Sequence, residues 1–135
     1  MREIEFRGKR VDTFEWVYGS AVTRTDGCVP VIVTTAFHED DGSVSFEYEF
    51  VASETVSQYT GLKDKHGKRI YEGDILKNSD DYLFLIEWNK DDAMYDRIDY
   101  DGGTPIATSF CWYDAKCGEV IGNIYDNPEL LEVQY

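Results

Sequence analysis

Two histidines, three cysteines and 27 carboxylates are the residues with which this chain of 135 could do chemistry. His38 and His66 each abut a turn signal, and either one beside Cys111 or Cys117 would make a Cys–His nucleophile pair. Nothing in the spacing brings such a pair together. Neither a G-x-S-x-G elbow nor a phosphate-cradling G-x-x-x-x-G-K-[ST] occurs. Aligned to a calcium loop, Asp99, Asp101 and Gly102 of "DYDGG" take the third, fifth and sixth positions. Arg97 and Thr108 then fall on the first and twelfth, where carboxylates are required. Cys111 and Cys117 stand C-x5-C with no histidine close in sequence, which is not a zinc pattern. In a strand, Cys111 would alternate with Phe110 and Trp112 as a small packed thiol. The expectation is no catalytic residue, no metal ligand and no cofactor. A metal- or Cys-dependent enzyme is the weakest reading.

Charge points elsewhere. The formal net charge is -14, yet residues 61–77 carry five basic and three acidic side chains, net +2. Residues 1–60 are net -6 and residues 78–135 net -10. The acidic balance argues against direct nucleic-acid binding, because phosphates reward clustered Lys and Arg. It favours solubility or a basic partner. Lys63, Lys65, Lys68 and Arg69 in the positive segment are candidates for a surface contact, or are simply solvated around a turn.

The elements that would position these groups are strands. Hydrophobic residues at 42% and aromatics at 15% make the chain globular, and the aromatics favour a pleated, half-buried surface. In "SVSFEYEF", Val44, Phe46, Tyr48 and Phe50 alternate with Ser43, Ser45, Glu47 and Glu49, as in a strand with one wet face. "PVIVTTAF" is its neighbour, and Asp41-Gly42 between them is a hairpin turn. "REIEFRG" and "FEWVYGSAV" predict two earlier strands around a turn near Asp12-Thr13. "DILKN" and "YLFLIEW" surround a second tight turn at Asn78–Asp81, with "YLFLIEW" apolar on both faces and therefore central. "TPIATSFCWY" and "EVIGNIY" predict the last strands. Residues 89–103 have no committed pattern and are expected to form an acidic loop, with one helical turn in "DDAMYDR" and an end at Gly102-Gly103. "NPELLE" is the one helix-like start, with Asn127 as N-cap and Pro128 at the first position.

The expected fold is mainly β. N-terminal antiparallel strands and a hairpin occupy residues 1–53. A compact part at 54–135, a small SH3-like or partly open β-barrel, packs with them as one unit, with at most one or two short helical turns. The charged opening "MREIEFRGKR" and the absence of any run near ~18 apolar residues argue against a membrane span. The odd, sparse cysteines suit a reducing cytoplasm.

Three blocks carry a resemblance: "REIEFRGKRVD…EWVYG" (2–19), "ETVSQYTGLKDKHGKRIYEGDIL" (54–76) and "VIGNIYDNPELLE" (120–132). Their order and content resemble the YopX family, small proteins of bacteriophages and prophages. The resemblance implies a mostly β fold with an SH3-like C-terminal part, an unestablished biochemical role and no catalytic residues. The motif positions are Gln58, Tyr59, Thr60, Gly61, Asp64, Gly67, Ile70, Tyr71, Glu72, Gly73, Asp74, Gly122, Asn123 and Tyr125. Two departures stand out. Thr13-Phe14 replaces an Asn-Gly style turn, and Ser57 stands where a glycine is frequent. If that position needed positive φ, Ser57 would cost about 1 kcal/mol. Together these residues predict an architectural corner anchored by Tyr59, Ile70, Tyr71 and Ile75, with the lysines facing solvent.

The function expected is a cytoplasmic phage accessory protein that binds a host, phage or identical chain without catalysis. The runner-up is an acidic nucleic-acid mimic acting on a host DNA-binding protein.

Overall fold

The reversal expected at Asp41-Gly42 is present in the computed structural model, which describes residues 1–100 and 104–132. Gly42 has a φ of 87°, and the Asp41 carboxylate accepts the N–H of Ser43. This turn joins β3 (Val31–His38) to β4 (Val44–Phe50). The chain divides into two compact units, Met1–Gln58 and Tyr59–Tyr135.

In the first unit, β1 (Phe6–Lys9) and β2 (Trp16–Val22) precede that hairpin. The antiparallel order is β4-β3-β2-β1, continued by Ser57 and Gln58 at the start of β5 (Ser57–Lys63). The β1–β2 connection is not a two-residue turn. It runs through residues 11–14, and exposed Phe14 takes the left-handed φ of 59°. Beyond β4 the chain turns back against β1. Val11 N–H donates to Phe50 O, Ala52 N–H to Lys9 O, and Lys9 N–H to Thr55 Oγ1. Gly8 makes this possible, since a Cβ there would lie 2.9 Å from Val51. Ile32 and Val51 are fully buried, and the Arg7 guanidinium lies 4.4 Å over the Trp16 ring. Ser57 is buried in ordinary strand backbone and donates its hydroxyl to Thr55 O, so the feared strain is absent.

In the second unit β5 pairs with β6 (Arg69–Tyr71). A five-stranded antiparallel sheet follows in the order β10-β9-β8-β7-β11, from β7 (Asp74–Lys77), β8 (Leu83–Asn89), β9 (Met94–Asp99), β10 (Ile106–Ser109) and β11 (Glu119–Asn123). The protein is mainly β, as the sequence predicts, and its described strands form two antiparallel sheets with no closed barrel among the described residues. "YLFLIEW" does supply the central strand. Phe84, Ile86, Leu76, Ile70 and Ala115 pack on one face, and Leu85, Ile75 and Ile98 on the other. The turn at Asn78–Asp81 holds because Asn78 Oδ1 accepts the N–H groups of Asp80 and Tyr82.

Two expectations fail here. Met94–Asp99, expected within an acidic loop, is a strand paired to β8, because Tyr95 and Ile98 reach the two cores. Gly102-Gly103 lies outside the described residues. "TPIATSFCWY" keeps its strand only to Ser109. Cys111 is then the exposed N-cap of α1 (Trp112–Cys117), where Asp114 reaches back to accept its N–H at 3.0 Å. The helix-like start is present as a short 3-10 turn (Pro128–Leu131) with Asn127 at the N-cap position and Pro128 first, although the Asn127 side-chain oxygen Oδ1 accepts the Asn123 N–H and caps no amide of the turn.

Arg97 ties α1 to the sheet. Its guanidinium donates to both oxygens of Asp99 and, at 2.8 Å, to Asp114, while lying 4.2 Å over the Phe84 ring. Hydrogen bonds with Asp99, and secondarily Asp114, raise its pKa further against the opposing effect of burial. Removing it leaves two little-exposed carboxylates facing each other. Arg97→Leu is expected to lower the unfolding free energy by about 2–3 kcal/mol, measured by urea titration. A loss no larger than that of an exposed Lys90→Ala control would refute the network's role.

Candidate functional site

The basic segment is a built corner. Asp64 is the buried residue at its centre, accepting N–H groups from His66, Lys68 and Val120, each at 2.9 Å. Burial pushes its carboxyl up, but the amides of Val120, Lys68 and His66 together outweigh burial and hold its pKa below the ordinary value. Gly67 takes a φ of 81° at the tip, where a β-carbon is disfavoured. Lys65 donates its N–H to Gly118 O, and both its ammonium (3.9 Å) and the His66 imidazole (3.7 Å) lie near Glu119. Lys63 and Lys68 are exposed and Arg69 is half-buried, its guanidinium 4.8 Å over the Tyr59 ring.

The remaining motif residues gather behind this tip. Tyr59 and Tyr71 pack with their rings tilted by 44° and centroids 5.7 Å apart, and Thr60 donates its hydroxyl to Ile70 O. Tyr59, Ile70, Tyr71 and Ile75 are all buried, as the pattern required. Buried Asp74 accepts the Tyr71 N–H at 2.8 Å. Gly73 sits at φ 86°, donating to Ile86 O and accepting from Ile124 N–H, and a Cβ there would lie 3.0 Å from the Tyr125 ring. Gly122 abuts the Asn127 side chain, and Asn123 accepts the N–H groups of Tyr125 and Asp126. Gln58 and Glu72 are half-buried, and Gly61 lies exposed in β5. The blocks 54–76 and 120–132 thus meet around Gly73. These contacts form a scaffold with internal partners for its polar groups.

An uncovered apolar face lies in the first unit, on residues outside the motif. The register sets Val22 beside Val31 and Phe50, Val33 beside Tyr48, and Ala36 beside Phe46. All of these point to one face because paired residues of neighbouring strands share a side. The expected alternation is real, but its apolar side is the uncovered one. Phe46 is 56% exposed, Tyr48 53%, Val22 46% and Phe50 41%. The buried side of the sheet belongs to Ile32. This reversal corrects the reading of Val44, Phe46, Tyr48 and Phe50 as the dry face. A concave groove of about 810 Å³ runs along the apolar rows. At one end Arg24 lies 5.6 Å over Phe50 and is held by Asp26. The signal for this face was the alternation in "SVSFEYEF" itself, but alternation does not tell which side is covered.

Other candidates for chemistry have structural partners. The Cys111 thiol lies 3.4 Å from Asp114, and a hydrogen bond with the Cys117 thiol raises the Tyr113 pKa. Asp99 and Arg97, two positions of the calcium-loop alignment, are bound to each other in β9, while Asp101 and Gly102 lie outside the described residues. Among the described residues no group of three or more His, Cys, Asp or Glu is arranged to hold a metal. No described helix is long and apolar enough to cross a membrane.

A family model described as YopX protein matches residues 5–132. The crystal structure of protein EF1440 from Enterococcus faecalis is similar to this chain, with 26% identity and a TM-score of 0.58. That similarity covers 98% of this chain and 100% of the other. No curated protein matches.

The corner yields two expectations. Gly73→Val adds a branched side chain at positive φ against Tyr125 and should cost about 3 kcal/mol. Lys65→Ala should cost well under 1 kcal/mol, so comparable falls in melting temperature would refute the architectural reading. Asp64→Asn should cost about 2–3 kcal/mol at pH 7, because charge-assisted bonds are lost and an amide NH2 meets a donor. The Asp64 contribution is complete above the unfolded carboxyl pKa of about 3.9 and is lost as pH falls through the lower folded value. The gap between the two proteins in urea titrations should therefore begin to narrow below about pH 4 and close only below the folded pKa, and a pH-independent gap would contradict this assignment.

Proposed function

Since this chain belongs to the YopX family, we propose that it is a phage or prophage accessory protein that acts by binding another protein, without catalysis. The observation carrying this reading is the uncovered aromatic face of β2, β3 and β4. Three aromatic rings at about half exposure present on the order of 300 Å² of ring surface, given ~150–250 Å² for each when fully buried. With the valines the patch falls in the few-hundred Å² range that marks functional surface on a monomer. Water against such a face is costly, and a partner that covers it recovers about 25 cal/mol per Å² of apolar area.

The mimicry alternative loses support from the carboxylates of the second unit. Asp99 and Asp114 serve Arg97, Asp126 accepts from Asn123, Asp96 accepts from Asn89, and Glu119 lies beside Lys65 and His66. Carboxylates committed to internal donors are poor imitations of a phosphate row that must offer itself to basic side chains.

The test is affinity capture from bacterial lysate treated with nuclease, comparing the natural chain with Phe46→Ser/Tyr48→Ser. Both positions are exposed, so the variant should keep its melting temperature within a few degrees. A stoichiometric protein retained by the natural chain and lost by the folded variant is expected. Equal recovery by both would remove this face from the function, and an empty capture alongside a reproducible turnover would replace binding with catalysis.

A further inference from the structure

We propose that β4 is an edge for strand addition, taking an extended segment of a partner protein in which apolar side chains alternate with lysine or arginine. This rests on the protein-binding reading above and specifies its mode and chemistry. β4 ends its sheet, paired to β3 on one side. Its far end is closed, because Phe50 O accepts from Val11 N–H and Val51 bridges to Arg10. The open run is therefore Val44–Glu49. Edges are ordinarily protected by charged side chains (lysine above all), by proline or by a bulge on the edge strand itself, and the charged residues of this edge are glutamates, which oppose an acidic strand and not a basic one. "VSFEYEF" contains no lysine or proline, and the register shift of this hairpin lies in β3, between Val33 and Thr35.

The two faces of β4 define what can be added. One side of an added strand would extend the rows of Phe46 and Tyr48. Its other side would lie beside Ser45, Glu47 and Glu49. Glu47 is exposed, Glu49 shares Arg10 with Asp12, and the adjoining turn carries Glu39 and Asp40. Cross-strand neighbours of opposite charge stabilise pairing and like charges oppose it. The acidic side chains therefore admit a basic strand and reject an acidic one.

Size decides between docking on the face and pairing at the edge. The patch falls short of the ~800 Å² per partner of a stable rigid interface. Main-chain hydrogen bonds along the adjoining edge supply what the patch lacks. A second copy is the poorer occupant. Two concave faces do not fill each other, and antiparallel β4–β4 pairing sets Glu47 against Glu47 or brings the acidic turn alongside Glu49.

The test uses the full chain and three labelled nine-residue peptides in fluorescence anisotropy. One alternates lysine with valine and phenylalanine. The second replaces its lysines with glutamate. The third keeps the lysines but carries N-methyl groups on the edge-facing amides. The lysine peptide should bind at least ~10-fold tighter than the other two, a gap of about 1.4 kcal/mol. Its binding should weaken in high salt. Glu47→Lys should reverse the preference between the first two peptides. Equal binding of lysine and glutamate peptides, or of the N-methylated peptide, would overturn the proposal. So would no binding by any of them. If the peptides fail while capture still depends on Phe46 and Tyr48, only the strand mode falls; if both fail, the binding reading falls with it. Concentration-dependent dimerisation in sedimentation, abolished by Phe46→Ser, would overturn it in favour of a second copy.

Discussion

The carboxylate of Asp64 is the contact on which the second unit most depends. A turn built from lysines and a glycine has little apolar surface with which to hold its shape. Asp64 supplies that shape by accepting two amides of its own turn and a third from Val120 in β11. One side chain thereby closes a local turn and joins residues 56 positions apart. The lysines around it are consequences of exposure. They dissolve a tip whose geometry is set from beneath, and Lys65 lies close to Glu119 on the strand that Asp64 holds.

Behind the tip, conformational demands and packing demands coincide at Gly73. Its positive φ lets the chain bend from β6 into β7, and its missing side chain leaves room for Tyr125. Asp74, fully enclosed next to it, satisfies the Tyr71 amide. Because β7 and β8 run through both hydrophobic clusters, any shift at this bend is transmitted to Leu76 and Phe84 on one face and Ile75 and Leu85 on the other. A close-packed interior answers such shifts with strain.

The first unit meets a different constraint. Its strands pair antiparallel with one register shift in β3, and the chain after β4 turns back against β1 while the aromatic side stays uncovered. An acidic chain tolerates such a patch because net repulsion discourages casual association. The glutamates on the reverse side of β4 sharpen that effect at the edge. The same charges that keep copies apart select for a basic visitor.

Local chemistry made much of this legible. Asp41-Gly42 and Asn78–Asp81 turned where their side chains and torsions required, and Tyr59, Ile70, Tyr71 and Ile75 became anchors because they alternate with turn formers. The double-sided apolarity of "YLFLIEW" could only be satisfied in the middle of a sheet. Helix α1 was hidden because six residues carry too few turns for a periodic signal, and its stability comes from Arg97 and Phe84, distant in sequence. The strand at Met94–Asp99 was hidden because its apolar residues are sparse until Ile86 and Phe84 meet Tyr95 and Leu85 meets Ile98. Most consequential was the face of β4. Period-two alternation determines which side chains share a side, and the sequence alone settled that Phe46, Tyr48 and Phe50 stand together. Which side is covered depends on what packs there, and that was decided only in the tertiary structure, where Gly8 admits Val51 and Ile32 is fully buried.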